Sequence, residues 1–178
     1  MAHASMSPPR RRWRRSPLAG AFALVLFMAS VLAACGGGSS APSFDKKAAP
    51  REIQHAYGVL FNFSNPSVEA KVAVIEDGTR LRGAIRDALA SPLAALAKGA
   101  KVTSTKLLGP AACKQAGVPS PCARVGYDLL GANGSALFKG ASGYAVYDGT
   151  WLVARTTICG LLETMNQTLG KKGTPAGC

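Results

Sequence analysis

An uncharged run of 17 residues, Leu18 to Ala34, lies near the start of the chain and follows a segment with five arginines. A cationic segment followed by an apolar stretch that ends in small residues is the pattern of a signal peptide. A membrane-spanning anchor is the alternative, but the run is at the short end of the roughly 17–25 residues that a spanning helix needs. We therefore expect residues 1–34 to be removed and to take no part in the folded domain.

The last three residues of this run and the cysteine that follows it distinguish a signal peptide from a membrane anchor. Leu32, Ala33, Ala34 and Cys35 form a string that resembles the lipobox of bacterial lipoproteins. This resemblance implies cleavage before Cys35 and a diacylglyceryl group on its thiol, which would hold the protein at the outer face of the cytoplasmic membrane, in the cell envelope. Acyl chains contribute about 0.8 kcal/mol per buried CH₂, which is ample for anchoring. An uncleaved anchor and an ordinary secretory leader stay as alternatives, and the general secretory route is favoured over twin-arginine export.

Composition divides the remainder of the chain. Residues 36–50 (GGGSSAPSFDKKAAP) are rich in Gly, Ser, Ala and Pro, which is typical of a flexible linker. We expect a lipidated Cys35 and tether over residues 35–50, a folded domain over 51–165 and a C-terminal tail over 166–178. The tether would lift the domain clear of the lipid headgroups.

The net charge of the chain is +12, and removal of the five leader arginines leaves 16 Lys/Arg against 9 Asp/Glu, or +7. The remaining cations, Lys71 among them, are spread singly and are not interleaved with aromatic residues. This distribution excludes the usual pattern of a nucleic-acid-binding surface. A mildly basic surface beside anionic lipid or wall polymer, or a solvated surface with no partner, fits better.

Helical periodicity begins at Arg51, and apolar residues then recur at helical spacing in three stretches. The second helix is predicted to begin at Asn65-Pro66 and to end at Gly78, and the third to be capped by Asp77 or Thr79 and broken at Ser91-Pro92. The three apolar stripes are Ile53/Tyr57/Leu60/Phe61, Val68/Val72/Ile75 and Leu81/Ile85/Leu89.

After Gly99 the periodicity changes to two, which indicates strands. We predict strands over residues 101–108, 123–130, 136–147 and 151–159. Asn133-Gly134 and Asp148-Gly149 favour type I′ hairpin turns, and glycines 140 and 143 suggest a bulge or bend in the third strand. The predicted fold is α+β, with about three N-terminal helices packed on a curved four-stranded antiparallel meander.

Four cysteines follow Cys35, and an even number in an exported domain favours disulfides. Three pairings are open. We favour Cys113–Cys122, because the Pro/Gly loop CKQAGVPSPC must bring its ends together, which leaves Cys159–Cys178 to fix the tail. No CxxC spacing is present and His55 is the one histidine outside the leader, so we expect no metal site and no cofactor.

Candidate catalytic groups are few. His55 is off the apolar stripe of its helix, where a solvated surface residue is expected, and no G-x-S-x-G motif accompanies it. Glu76-Asp77 lies at a helix–turn junction, where capping is expected. Asp128, beside Tyr127, is the one carboxylate that could handle protons in a cavity. An outward-facing charge on an alternating strand is the simpler interpretation, so we assign no catalytic residue.

Two stretches resemble segments of a known group: YGVLFNFSNPSVEAKVAVIEDG (57–78) and GYAVYDGTWLVARTTICGLL (143–162). They are similar to small actinobacterial lipoproteins related to the mycobacterial low-molecular-weight secreted antigen. The resemblance covers nearly all of residues 51–165. It implies a cone-shaped, cystatin-like domain of the nuclear transport factor 2 type, in which helices close the mouth of a bent sheet. The Asp/His or Tyr/Asp pairs of enzymes in that wider group have no clear counterparts here.

These observations favour a non-enzymatic envelope lipoprotein, anchored through diacylglyceryl-Cys35, whose domain binds an apolar ligand, a wall component or an envelope protein. An enzyme acting on a hydrophobic substrate through Asp128 and Tyr127, and a structural or antigenic surface protein, are the alternatives. Six aromatic residues are candidates for lining a ligand pocket, although most of them would also suit an ordinary core: Tyr57, Phe61, Tyr127, Phe138, Tyr144 and Trp151.

Overall fold

The computed structural model describes residues 43–178, so the predicted leader, the lipobox and Cys35 lie outside the described residues. The described part is an α+β domain in which three α-helices precede an antiparallel sheet and a further helix follows it. The helices are α1 (Ala49–Phe61), α2 (Val68–Val72), α3 (Arg82–Leu89), α4 (Pro110–Gln115) and α5 (Arg155–Thr168), and the strands are β1 (Gly99–Leu108), β2 (Cys122–Leu130), β3 (Ala136–Tyr147) and β4 (Trp151–Val153).

The four strands form one open sheet in the order β1-β2-β3-β4, and each pair is antiparallel. The predicted four-stranded meander is therefore confirmed. The register between β2 and β3 shifts after the pair Tyr127–Ala141, where β3 carries an extra residue. Gly140 adopts a positive φ of 69° at this point, so the bulge predicted from glycine lies there. Gly143, in contrast, lies in regular register opposite Val125.

The first apolar stripe forms the centre of the core, as predicted. Ile53, Tyr57, Leu60 and Phe61 are all buried on the face of α1 that packs against the sheet. The Phe61 ring stacks on the Tyr127 ring of β2 at 5.3 Å between centroids, and Tyr57 lies 5.0 Å from Tyr127. This aromatic cluster joins the first helix to the centre of the sheet.

The domain begins earlier than its composition suggests. Phe44, which the prediction places in the tether, packs edge-on against Trp151 at 5.1 Å and against Tyr147 at 5.3 Å. Helix α1 also begins at Ala49 rather than Arg51, with Pro50 in its first turn. Residues 43–50 therefore belong to the folded domain, because one aromatic residue in a Gly/Ser-rich stretch finds an apolar surface on the β3–β4 hairpin.

The second helix is shorter than predicted and begins later. Ser67, not Asn65, is its N-cap: the Ser67 hydroxyl accepts a hydrogen bond from Ala70 N at 3.2 Å. The helix ends at Val72, and turns lead to Gly78, where an added Cβ would overlap the carbonyl of Val72. A 3₁₀ turn over Gly78–Leu81 then precedes α3, which ends at Leu89 just before Ser91-Pro92, as predicted.

The prediction for the last strand was wrong. Strand β4 ends at Val153, and residues from Arg155 onward form α5 instead of continuing the strand to residue 159. The helical turn is fixed by a contact that is distant in sequence: the Glu76 carboxylate accepts a hydrogen bond from Arg155 N at 2.9 Å, which caps the start of α5. The capping predicted at the Glu76-Asp77 junction is not found there: Glu76 caps α5 instead, and neither the 3₁₀ turn nor α3 has a side-chain cap from Asp77 or Thr79.

The two hairpins form where they were predicted, but not with type I′ turns. That turn needs a positive φ at both central residues. Gly134 and Gly149 have positive φ, whereas Asp77 is the one non-glycine residue with positive φ in the described range, so Asn133 and Asp148 do not. The loops are longer than two residues and need the left-handed conformation at glycine alone.

The domain contains two disulfides, and their pairing is the one that the loop argument favoured. Cys113 is bonded to Cys122, and Cys159 to Cys178. Cys113 lies within α4, a short helix whose last residues belong to the stretch that the prediction treated as loop. The second bridge fixes the C-terminal tail beside α5, and Gly177 lies against the carbonyl of Arg80.

Candidate functional site

A groove lies where the short fourth strand exposes the edge of the long third strand. Strand β4 pairs only with residues 145–147 of β3, and the first turn of α5 covers the next part of this edge. Ala154 N donates to Tyr144 O at 2.9 Å, and Tyr144 N donates to the Thr157 hydroxyl at 2.7 Å. Helix α5 thus replaces β4 as the neighbour of β3 at Tyr144.

Glycine at position 143 makes this close approach of helix and strand feasible. An added Cβ at Gly143 would overlap the Thr157 methyl group and would lie 2.9 Å from the Tyr57 hydroxyl. The Tyr57 hydroxyl itself donates to Tyr144 O at 3.1 Å. The end of β3 is therefore attached to both α1 and α5 through one backbone carbonyl.

Beyond this junction the helix and sheet diverge and leave a cleft of about 350 Å³, which we name the α5 cleft. This volume falls in the range of small-molecule sites. None of its lining residues carries a charge, and six of them carry a hydroxyl group. The lining consists of Ala116, Tyr127, Ser142, Gly143, Tyr144, Thr156, Thr157, Gly160, Leu161 and Thr164.

Tyr127 supplies the most distinctive polar group of the α5 cleft. Its side chain is only 4% exposed, and its ring is held between Tyr57 and Phe61. Its hydroxyl has no hydrogen-bond partner among residues 43–178, yet it is not among the polar atoms sealed from solvent there. Burial raises the pKa of Tyr127 above its ordinary value, so this hydroxyl is a neutral donor and acceptor at neutral pH. It is available to a molecule in the cleft.

A second groove of about 370 Å³ lies between α1 and β4, and its lining includes Arg51, Glu52, His55 and Trp151. His55 is exposed, in agreement with the expectation from the sequence. Trp151 Nε1 is buried without a hydrogen-bond partner in the described part of the chain, but it is sealed from solvent and so does not offer its proton to a ligand in the groove. The α5 cleft is therefore the better candidate site.

The six aromatic residues predicted to line a pocket do not form one group. Tyr127 and Tyr144 line the α5 cleft, Tyr57 and Phe61 are core, and Trp151 lies in the second groove. Phe138 was predicted wrongly as core or lining, since it is 69% exposed on the part of β3 that β4 does not cover.

The Asp128 side chain lies on the opposite side of the sheet from Tyr127 and is hydrogen bonded to the backbone of β3. Tyr127 lies on the buried side of β2, whereas Asp128 is half-buried on the opposite side. Its carboxylate accepts a hydrogen bond from Gly140 N at 2.8 Å and so stabilises the β3 bulge. Asp128 and Tyr127 are therefore not brought together as a proton-handling pair.

Lys71 is a charged residue whose burial was not predicted from the sequence. It is 1% exposed, and its ammonium group donates to Val59 O at 3.0 Å and to Asn62 O at 2.9 Å. Val59 O lies in the last turn of α1, where helical carbonyls have no partner of their own, and Asn62 O also accepts a hydrogen bond from Asn65 N at 3.1 Å. Burial lowers the pKa of Lys71. The signal in the sequence was its place directly before Val72 on a short amphipathic helix.

Within residues 43–178 no cluster of His, Cys, Asp and Glu has a composition suited to a metal ion. The same residues contain no helix that is long and apolar enough to span a membrane. Comparisons with family models, with curated proteins and with solved structures gave no significant match.

Proposed function

We propose that this chain is a lipid-anchored envelope protein whose α+β domain binds a small ligand, without catalysis, in the α5 cleft. The observation that carries the binding proposal is the Tyr127 hydroxyl, which is held rigidly in an aromatic cluster and has no protein partner in the described residues. This hydroxyl is not sealed from solvent, so water can reach it when the cleft holds no ligand. A ligand that replaces the water with a well-placed hydrogen bond would gain about 0.5–1.5 kcal/mol from this group.

The chemistry of the cleft supports binding over catalysis. Its lining has hydroxyl groups but no carboxylate, imidazole or ammonium group that could transfer a proton near neutral pH. The nearest carboxylate in sequence to Tyr127, that of Asp128, is hydrogen bonded to the β3 bulge on the other side of the sheet. An enzyme that uses these two residues is therefore the weaker alternative.

We also propose the finer features that the sequence suggested: a cone-like bend of the sheet, a relation to the small actinobacterial lipoproteins named above, and attachment through diacylglyceryl-Cys35. Register shifts in both the β1–β2 and the β2–β3 pairings favour a bent sheet, because bulges bend and twist strands. The anchor proposal rests on the string Leu32-Ala33-Ala34-Cys35. Its test is Cys35→Ala, which should yield unlipidated or uncleaved protein; normal acylation of this variant would refute it.

The binding proposal can be tested with a variant that fills the cleft and leaves the fold intact. Gly160 lies on α5 and is exposed, and a Cβ added to it would have no atom within 4 Å. A long side chain there would lean over the preceding helical turn, which carries Thr156 and Thr157. We expect Gly160→Phe to close the cleft.

Gly83 on α3 is the matched control, since it is also helical and free of atoms around an added Cβ, and it does not line the cleft. Mass spectrometry of small molecules co-purified with the native anchored protein should find a compound that is lost from Gly160→Phe and kept by Gly83→Phe. Equal recovery from both variants would refute binding in the α5 cleft.

A further inference from the structure

The charge of the lining residues limits the chemical class of ligand that the α5 cleft can bind. The cleft has no charged side chain, although the chain as a whole is strongly basic. An ion at this site would find no opposite charge among the lining residues, so any hydration that it lost there would not be compensated. A carboxylate, a phosphate or an ammonium compound is therefore a poor occupant.

The hydroxyl groups of the cleft argue equally against a purely apolar occupant. An alkyl chain beside Tyr127 would cover the hydroxyl and leave it without any partner, at a cost of about 1–3 kcal/mol. Thr156 and Ser142 are both exposed at this site, and both would lose water contacts in the same way. The occupant should itself carry hydrogen-bonding groups.

The uncovered edge of β3 adds backbone groups to the site. Tyr144 directs its N–H and its carbonyl toward α5, and backbone groups two residues apart on a strand point in the same direction. Ser142 lies two residues before Tyr144 in regular register with Gly126, so its backbone N–H and carbonyl face the cleft beyond the end of β4. Donors and acceptors are thus interleaved along one wall.

An apolar surface completes the lining. Tyr144 is half-buried, and Leu161 and Ala116 lie at the same cleft. We propose, on the basis of the binding function above, that the α5 cleft binds an uncharged sugar ring. Such a ring presents hydroxyl groups, which are donors and acceptors, at its rim and C–H groups on its faces. The rim would pair with Tyr127 and the β3 edge, and one face would contact Leu161 on the same side of the sheet, whereas the Tyr144 ring lies on the other side beside Ala116.

The experiment titrates the ¹⁵N-labelled full chain in detergent micelles with methyl glucoside, methyl mannoside and N-acetylglucosamine, and with cyclohexane as the uncharged apolar probe. We expect at least one sugar to shift the amide signals of residues 142–144 and 156–164. Gly160→Phe should abolish these shifts and Gly83→Phe should keep them. Tyr127→Phe should weaken binding roughly fivefold, the effect of one neutral hydrogen bond.

The outcomes separate this inference from the function on which it rests. Cyclohexane shifts that Gly160→Phe removes, with no response to any sugar, would overturn the sugar assignment and leave ligand binding in the cleft standing. Sugar shifts that persist in Gly160→Phe would overturn the assignment of the site. No response to sugar or cyclohexane, together with no compound co-purified selectively with the wild-type chain, would overturn both.

Discussion

Replacement of Lys71 by methionine tests whether this buried ammonium group stabilises the end of α1. Methionine keeps most of the aliphatic side chain and removes the donor that lies 3.0 Å from Val59 O and 2.9 Å from Asn62 O. Asn62 O keeps its hydrogen bond from Asn65 N at 3.1 Å, so Val59 O is the carbonyl that loses its partner. A buried carbonyl without a partner costs about 1–3 kcal/mol. This loss is offset in part, because methionine avoids the free-energy cost of burying a charge. The same desolvation lowers the pKa of Lys71.

We expect a net destabilisation of about 2 kcal/mol, which corresponds to a fall in Tm of roughly 8 °C for a domain of this size. Urea denaturation followed by circular dichroism would measure the free energy of unfolding. The control is Lys114→Met on α4, where the lysine is exposed and the change should stay within about 0.5 kcal/mol.

Hydrogen exchange would localise the effect. Loss of a C-terminal cap frays the last helical turn, so the amides near Phe61 should exchange faster in Lys71→Met while the centre of the sheet keeps its protection. If Lys71→Met is as stable as Lys114→Met, Val59 O finds another partner and the capping argument fails.

Three further predictions concern the tyrosines and the tail. Tyr57→Phe removes the hydrogen bond to Tyr144 O and should lower the free energy of unfolding by about 1 kcal/mol, measured by urea denaturation. Tyr127→Phe removes a hydroxyl without a partner in the described residues and should change that free energy by no more than about 0.5 kcal/mol. Equal losses in the two variants would contradict this difference in hydrogen bonding. Burial raises the pKa of both Tyr57 and Tyr127, so above about pH 10 the unfolded chain releases protons that the folded domain keeps. Stability should therefore fall as the pH rises past that value, and less steeply in the double Phe variant; a fall that is unchanged in that variant would be inconsistent with this cause. Replacing Cys159 and Cys178 by serine opens a bridge that spans 19 positions and should cost about 3 kcal/mol, measured by denaturation under non-reducing conditions, and a loss near zero would show that the tail is held by other contacts.

Local sequence patterns were sufficient to predict the elements whose buried faces are set by their own helical or strand periodicity. The stripe Ile53, Tyr57, Leu60 and Phe61 marked the buried face of α1, and the alternation around Tyr127 marked the buried side of β2. These patterns are visible in the sequence because buried apolar residues recur at the period of the helix or strand that carries them.

The start of α5 could not be predicted in this way. Residues 152–159 are rich in branched side chains, which favour a strand, and the contact that fixes the helix comes from Glu76, 79 positions earlier. The α5 cleft depends on that helix, because it opens where β4 stops and α5 begins. Two of the lining residues, Tyr127 and Tyr144, were predicted, whereas Thr157 and Gly160 were not, since the helix that presents them was assigned as a strand.

The proposed anchor and the observed fold constrain each other through Phe44. Phe44 is packed on Trp151 and Tyr147, so the chain is attached to the domain nine positions after Cys35, not sixteen as the composition suggested. Nine residues span at most about 32 Å even when fully extended. If Cys35 carries lipid, the β3–β4 hairpin must then stay within that distance of the membrane surface. The domain would sample ligands from a shallow layer beside the membrane, where an uncharged cleft discriminates against charged lipid headgroups and accepts neutral, hydroxyl-bearing molecules.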